Sequence, residues 1–231
     1  MSDAVIILQA RMGSTRLPGK AMASIGARSL IGHCLARLRI SGAAPVLLAT
    51  TISQEDDVLV ATAAKYGVAA FRGPADDVLS RFVLAAQSVG ARFVIRATGD
   101  NPAVDMDGPD RVLAALRSTN ADHVIEEGLP YGGAVEGVTV DALMRASALA
   151  SNSADREHVT PWIRRDPDRF TALRIASPPG LRHPEIRVTV DTNDDLMFMR
   201  SVAVHMNNWF NEPELRRIVM VASSLTAARC V

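Results

Sequence analysis

The sequence predicts an α/β fold, a mostly parallel central sheet flanked by helices. Short apolar runs alternate four times with helix-patterned stretches before residue 102, joined by brief connections, as parallel sheets require. The first run, Ala4 to Leu8, reads as a buried strand that stops abruptly at Gln9. A cationic, Gly-rich loop follows at once, and open α/β sheets place their ligands at just such carboxyl ends of strands. At 231 residues and 48% hydrophobic, the chain is long enough for one domain with an ample core.

In order, Ser29 to Arg39 sets Leu30, Ile31, Cys34, Leu35 and Leu38 at helical spacing. Val46 to Ala49 reads as a second buried strand ending at Thr50-Thr51. Glu55 to Tyr66 is helical and is closed by Gly67. Val68 to Phe71 is a short third strand that ends at Arg72-Gly73. Asp76 and Asp77 open a helix to Gln87, where acids in the first turn suit the dipole. Arg92 to Arg96 is the fourth strand, leading to Thr98-Gly99-Asp100-Asn101-Pro102.

The second half is less regular. It reads as a helix over Asp107 to Arg117, a strand over Asp122 to Ile125, and extended chain over Ala134 to Val140. Helices follow at Asp141 to Ala150 and Arg156 to Arg165, then a loop at Ser177 to Gly180. Ile186 to Val190 reads as a further strand running into Asp191. Two helices end the chain, the last opened by Asn211-Glu212-Pro213 as cap, dipole acid and early proline.

Net formal charge is zero, so bulk electrostatics imply neither nucleic-acid nor membrane affinity. No stretch approaches ~20 apolar residues, and Arg11 interrupts the first run before it could serve as a signal peptide. Cys34 and Cys230 fit no metal or disulfide spacing; Cys34 reads as packing, Cys230 as a loose thiol, and the reduced cytoplasm as the compartment.

Arg11, Arg16 and Lys20 stand in the opening loop with no acid between Asp3 and Glu55 to balance them. A solvated surface loop usually mixes signs, so the pattern favours a phosphate site. It is not a P-loop: five residues separate Gly13 from Gly19, and Ala21 stands where a magnesium-binding hydroxyl belongs. Asp100 and Asp191 each follow the end of an apolar run. An Asx-turn or a helix cap would account for either alone. Facing a phosphate loop together, they call for a hard cation between carboxylates and phosphate, which is the role of Mg²⁺.

These residues resemble a known family. Gln9-Ala10-Arg11-Met12-Gly13-Ser14-Thr15-Arg16-Leu17-Pro18-Gly19-Lys20 is similar to the opening motif of the cytidylyltransferases grouped with the spore-coat polysaccharide biosynthesis enzyme. Those are relatives of the acylneuraminate and 3-deoxy-manno-octulosonate cytidylyltransferases. Arg72-Gly73 with Asp76 to Leu79, Arg96 to Pro102, Arg156 to Pro161 and Thr189 to Thr192 match further motifs in order. The resemblance implies a Rossmann-like nucleotidyltransferase fold, as one domain over 1–231 with 122–180 serving the acceptor and a homodimer interface. It implies CTP as donor, Mg²⁺ as cofactor and release of pyrophosphate, with no nucleic-acid partner.

Carried over by motif, Arg11, Lys20, Asp100 and Asp191 form the catalytic set, and Asp100 and Asp191 hold the metal. Arg16, with Gly13 and Ser14 of the same loop, joins Arg11 and Lys20 on CTP. Leu8, Gln9, Ala10, Thr50, Thr51, Arg72 and Thr98 complete the nucleotide pocket. Tyr131, Glu136, Arg156 and His158 are the acceptor candidates. Where the family often carries acids in a Pro-Asp-Gly-x-Asp-Val-Glu turn, this chain has Leu129 to Glu136 with Tyr131, Gly133 and Ala134 instead. That departure favours a small acidic acceptor, such as a phosphonate or phosphorylated metabolite, beside the family's sugar acids. A different nucleotide donor acting on a sugar phosphate, or a non-catalytic nucleotide-binding protein, would keep the same fold; intact Lys20, Asp100 and Asp191 speak against the second.

Overall fold

A computed structural model describes residues 2–209 and 211–229; Cys230, read above as a loose thiol, lies outside them. The chain opens with β1 (Ala4–Gln9), whose residues Ala4 to Leu8 are all buried. A 3₁₀ turn at Lys20–Met22 and a small hairpin, β2 (Ser24–Ile25) with β3 (Arg28–Ser29), precede α1 (Leu30–Ser41). Ser29 caps α1 by accepting from the Gly32 amide. Next come β4 (Val46–Thr51), α2 (Asp57–Lys65), β5 (Ala69–Gly73), α3 (Val78–Ser88) and β6 (Phe93–Thr98). Asp77 caps α3 through the Ser80 amide at 2.9 Å. The second half holds α4 (Gly108–Ser118), β7 (His123–Glu127), β8 (Glu136–Thr139), α5 (Val140–Leu149), α6 (Ser153–His158), α7 (Pro161–Arg165), β9 (Ala172–Ala176), α8 (Asn193–Val204) and α9 (Leu215–Arg229).

Apart from the antiparallel β2–β3 hairpin, the strands form one sheet in the order β5-β4-β1-β6-β8-β7-β9. All pairings are parallel except those of β8, which runs against both neighbours. The alternation of β1 divides the core. Ala4, Ile6 and Leu8 pack on one face with α1, α4, α8 and α9, while Val5 and Ile7 pack on the other with α3, α5 and α7. The predicted mostly parallel α/β sheet is therefore present, with the four early strand–helix alternations in place.

Four expectations are corrected. Ile186 to Val190 is not a strand of the sheet: it runs beside the 129–132 loop, making a lone parallel bridge from Arg187 to Tyr131. Its apolar residues Ile186, Val188 and Val190 are buried, which gave it a strand's pattern without a strand's place. The strand Ala172–Ala176, absent from the sequence reading, is an edge strand of alternating partial exposure with a weak pattern. The helix expected over Arg156 to Arg165 is split into α6 and α7 by Val159, whose φ is 70°. The last helix begins at Leu215, so Glu212 stands before it; its carboxylate is buried against α1.

Candidate active site

The loop after β1 is pinned at its root. The Met12 amide donates to Asp56 at 2.7 Å, and the same carboxylate accepts from the Thr50 hydroxyl at 2.9 Å and the Thr51 amide and hydroxyl. Burial favours the neutral form of Asp56, but these bonds from Thr51, Met12 and Thr50 hold its carboxyl below the ordinary value. Gly19 then turns the chain with φ 71°, a left-handed conformation that a side chain would resist, and Lys20 is aimed back at the sheet edge.

There the Lys20 ammonium donates to the Val190 carbonyl at 2.9 Å and lies 3.2 Å from Asp191 and 3.4 Å from Asp100. Arg16 reaches Asp191 at 2.9 Å, and Arg187 reaches it at 2.8 Å. Asp191 is brought to the edge by its neighbour, since the Val190 amide donates to the Asp100 carbonyl at 2.8 Å. Burial would raise the Asp191 carboxyl, yet Lys20 first, then Arg187 and Arg16, keep it low and ionised. Asp194 and Asp195 behave as a first helical turn should: Asp195 completes a capping box with Thr192.

These groups line a cleft of about 680 Å³. Of the sequence candidates, Gln9, Ala10, Arg11, Ser14, Arg16, Lys20, Thr98, Asp100, Tyr131, Glu136, His158 and Asp191 all face it. Others do not. Leu8 is wholly buried in the core, and Gly13 is not part of the lining. Thr50 and Thr51 direct their hydroxyls to Asp56 rather than to the cleft. Arg72 is taken up by Asp57 at 2.6 Å and by the Thr51 and Ser53 carbonyls. Arg156, an acceptor candidate in the sequence, instead ties α6 to the cap of α3 through Asp77 at 2.6 Å and to the Ser147 and Ala150 carbonyls.

Sequence reasoning missed Arg96, Arg164 and Glu157, which also line the cleft. Arg96 is a lone charge inside the apolar strand Phe93-Val94-Ile95, and that interruption was the available clue. Glu157 meets Arg11 across the cleft at 3.4 Å. Val159 explains how: with φ 70°, ψ −66° and the Thr160 amide donating to the His158 carbonyl at 2.9 Å, it is the centre of a strained γ-turn. The turn is held by burial of Val159, and it sets His158 towards the cleft and the Thr160 hydroxyl on Glu136.

A divalent cation would find its donors at Asp100 and Asp191. The two carboxylates already share one ammonium ion, so the donor set is hard oxygen converging on a positive charge. No group of three or more His, Cys, Asp or Glu suited to a metal occurs among the described residues. Two carboxylates are a number that a hard cation such as Mg²⁺ can take, completing its shell with water and substrate phosphate.

Several carboxyls are held below their ordinary value of 3.8, among them Asp56, Asp77, Asp191 and Asp195. In each, hydrogen bonds outweigh the burial that would raise it, joined by arginine or lysine partners at Asp77, Asp191 and Asp195. A depressed folded-state pKa means the unfolded chain takes up these protons first as pH falls. The stability they contribute is present above the unfolded value and lost below it. Urea midpoints should therefore stay level down to about pH 5 and drop steadily towards about pH 3. A midpoint that held or rose over that interval would contradict these assignments.

Similarity to known proteins bears on what this cleft does. The sequence model of the cytidylyltransferase family matches residues 5–219. The spore coat polysaccharide biosynthesis protein SpsF of Bacillus subtilis is 35% identical over 201 residues, covering 84% of each chain. A 3-deoxy-manno-octulosonate cytidylyltransferase of Leptothrix cholodnii is 30% identical over 190 residues, covering 77% of this chain and 66% of its own. A solved cytidylyltransferase from Leptospira borgpetersenii superposes with a TM-score of 0.89 at 26% identity, over 98% of this chain and 96% of that one.

Proposed function

The chain belongs to the cytidylyltransferase family and is a CTP-dependent nucleotidyltransferase; from that premise we propose that it moves CMP from CTP to a small acidic acceptor, with Mg²⁺, and releases pyrophosphate. The observation that carries this reading is the convergence of Lys20 and Arg16 on Asp191, with Asp100 beside them, under the Gly-rich loop. Cations alone would bind a triphosphate; two carboxylates among them would repel it, and a hard cation held between carboxylates and phosphate removes that repulsion.

In this reading Arg11, Arg16 and Lys20 exchange their carboxylate partners for triphosphate oxygens. Gln9, Ala10 and Ser14 border the nucleotide, and Thr98 lies beside Asp100 at the end of β6. Magnesium held by Asp100 and Asp191 would neutralise charge on the α-phosphate. An acceptor oxygen attacks the α-phosphorus in line, pyrophosphate departs, and no side chain need act as nucleophile. The enzyme's contribution is positioning and fixed positive charge.

The acceptor lies towards Glu136, His158 and Tyr131. The Leptothrix relative is named for an acid, 3-deoxy-manno-octulosonate, which supports an acidic acceptor here. The same reading has the chain act as one domain and pair with a second copy through residues 122–180, where Met144 and Leu149 on α5 leave apolar surface exposed. The cytoplasm suits its buried free thiol, Cys34.

The test is pyrophosphate release with each nucleoside triphosphate, Mg²⁺ and a panel of sugar acids, phosphonates and phosphorylated metabolites. CTP should support release with at least one acceptor, EDTA should stop it, and added Mg²⁺ should restore it. Release with UTP, GTP or ATP but not CTP would overturn the donor; indifference to EDTA would overturn the metal.

A further inference from the structure

One face of the sheet is apolar at Val5, Ile7, Val94 and Val138, where α3, α5 and α7 cover it. Towards the cleft the same face turns ionic. Arg96 on β6 is paired in register with Glu136 on β8, and Glu136 in turn with Ile125 on β7. His123, one residue pair behind, is fully buried. Glu136 is the hub: it accepts from the Thr160 hydroxyl, from Arg164 at 3.1 Å and from His123 Nε2 at 3.3 Å, and it pairs with Arg96 at 3.6 Å.

Burial pushes the Glu136 carboxyl up, but Arg96, then His123 and Arg164, hold it far below the usual carboxylate range. It is therefore an anion, and His123 Nε2 must carry the proton between them. Two guanidinium charges against one carboxylate leave one positive charge over. Arg96 Nε is buried with no hydrogen-bond partner among the described residues, and so is His123 Nδ1.

Packing does not account for this arrangement. Buried ion pairs stabilise a fold no better than well-packed apolar residues, and the same face uses valines a few positions away. Both carboxylate oxygens of Glu136 are already engaged, so it holds the arginines rather than binding a ligand. Arg96 and Arg164 keep donors to spare, and both line the cleft that contains Asp100 and Asp191. A second, smaller cavity of about 150 Å³, walled by His123, Phe170 and Leu173, shares Arg164 with it.

We propose that Arg96 and Arg164, held on Glu136, form the subsite that takes the acidic group of the acceptor. Glu136 is then a positioning residue. The inference rests on the cytidylyl-transfer reading and adds to it the residues that choose an acid, carboxylate or phosphonate.

The test is calorimetric. The protein is first titrated with a CTP analogue carrying a methylene bridge between its α and β phosphorus, in Mg²⁺, which fills the triphosphate site. Acetate and methylphosphonate are then titrated separately into the wild type, Arg164→Gln and Arg16→Gln. Arg164 is partly exposed at the end of α7, so its replacement should leave the fold intact. At least one acid should bind the wild type saturably and the Arg164 variant about tenfold more weakly, as expected for a lost charge-assisted hydrogen bond. The tighter of the two names the acid. Arg16→Gln should weaken the analogue and spare the acid. The proposal fails if neither acid saturates the wild type by ~50 mM, if Arg164→Gln binds both as the wild type does, or if it weakens analogue and acid in parallel. Should the analogue itself not bind, the donor reading falls, while the acid titrations on the free protein still decide this one.

Discussion

Asp191→Asn should abolish nucleotidyl transfer, by at least ~10³-fold in kcat, or about 4 kcal/mol of transition-state stabilisation. The substitution keeps the shape of the side chain and removes the charge on which Lys20, Arg16 and Arg187 converge. The fold should survive it. Lys20 keeps the Val190 carbonyl and Asp100, and Arg187 keeps Asp195 at 2.8 Å. Circular dichroism and the melting temperature should change little while pyrophosphate release disappears. Near-normal turnover would mean that Asp191 only anchors cations and holds no metal.

Glu212→Ala should do the opposite, sparing catalysis and damaging the fold. The Glu212 side chain is 2% exposed, accepts from Arg28 at 2.7 Å and Trp209 Nε1 at 3.0 Å, and lies 3.0 Å from His33 Nδ1 and 3.5 Å from Arg37. Arg37 is itself fully buried. Its guanidinium also donates to the Val104 and Pro213 carbonyls, and burial already works against its charge. Removing the carboxylate leaves that charge uncompensated, which costs roughly 3–5 kcal/mol. For a chain of this size the melting temperature should fall by about 10 °C. Pyrophosphate release at 25 °C should be retained, because none of these groups borders the cleft. A shift of less than about 2 °C would show that the network is dispensable.

The difference between these two residues shows what local sequence can convey. Asp191 is read to the right place on a premise that fails: the apolar run before it is no strand of the sheet, and the bond from the Val190 amide to the Asp100 carbonyl is what sets it at the edge. The opening loop was legible because a buried strand does lead into it, and such strands end at one edge of an α/β sheet; the four early strands and their helices were legible from their alternating pattern. Glu212 read as a first-turn acid of a helix, since nothing nearby announces Arg37, which lies 175 residues away. Arg156 misled for a similar cause: its partner Asp77 is 79 residues distant and caps a different helix. The γ-turn at Val159 escaped because a β-branched residue at positive φ contradicts every local preference and is held only by tertiary burial. Arg96 and Arg164 become a pair only through Glu136, from a third element. Local pattern specified the scaffold and the loop end of the cleft, while pairings across the chain built the other end.

The segment that carries Asp191 is no strand of the sheet, and this has an evolutionary consequence. The Tyr131 amide donates to the Ile186 carbonyl at 2.8 Å, and the Val188 amide returns a bond to Tyr131 at 2.9 Å. Gly132 lies so close, with φ 98°, that a Cβ there would stand 2.7 Å from the Thr189 nitrogen. The backbone of the loop between β7 and β8 is thus a splint for Asp191, the carboxylate that the proposed mechanism needs. If that loop meets the acceptor as proposed, a lineage can alter the contact by exchanging side chains, as the 60% exposed Tyr131 would allow. It cannot readily lengthen the loop or replace Gly132, because either change would unzip the splint and shift Asp191. Substrate range in this enzyme should diverge by substitution at fixed length.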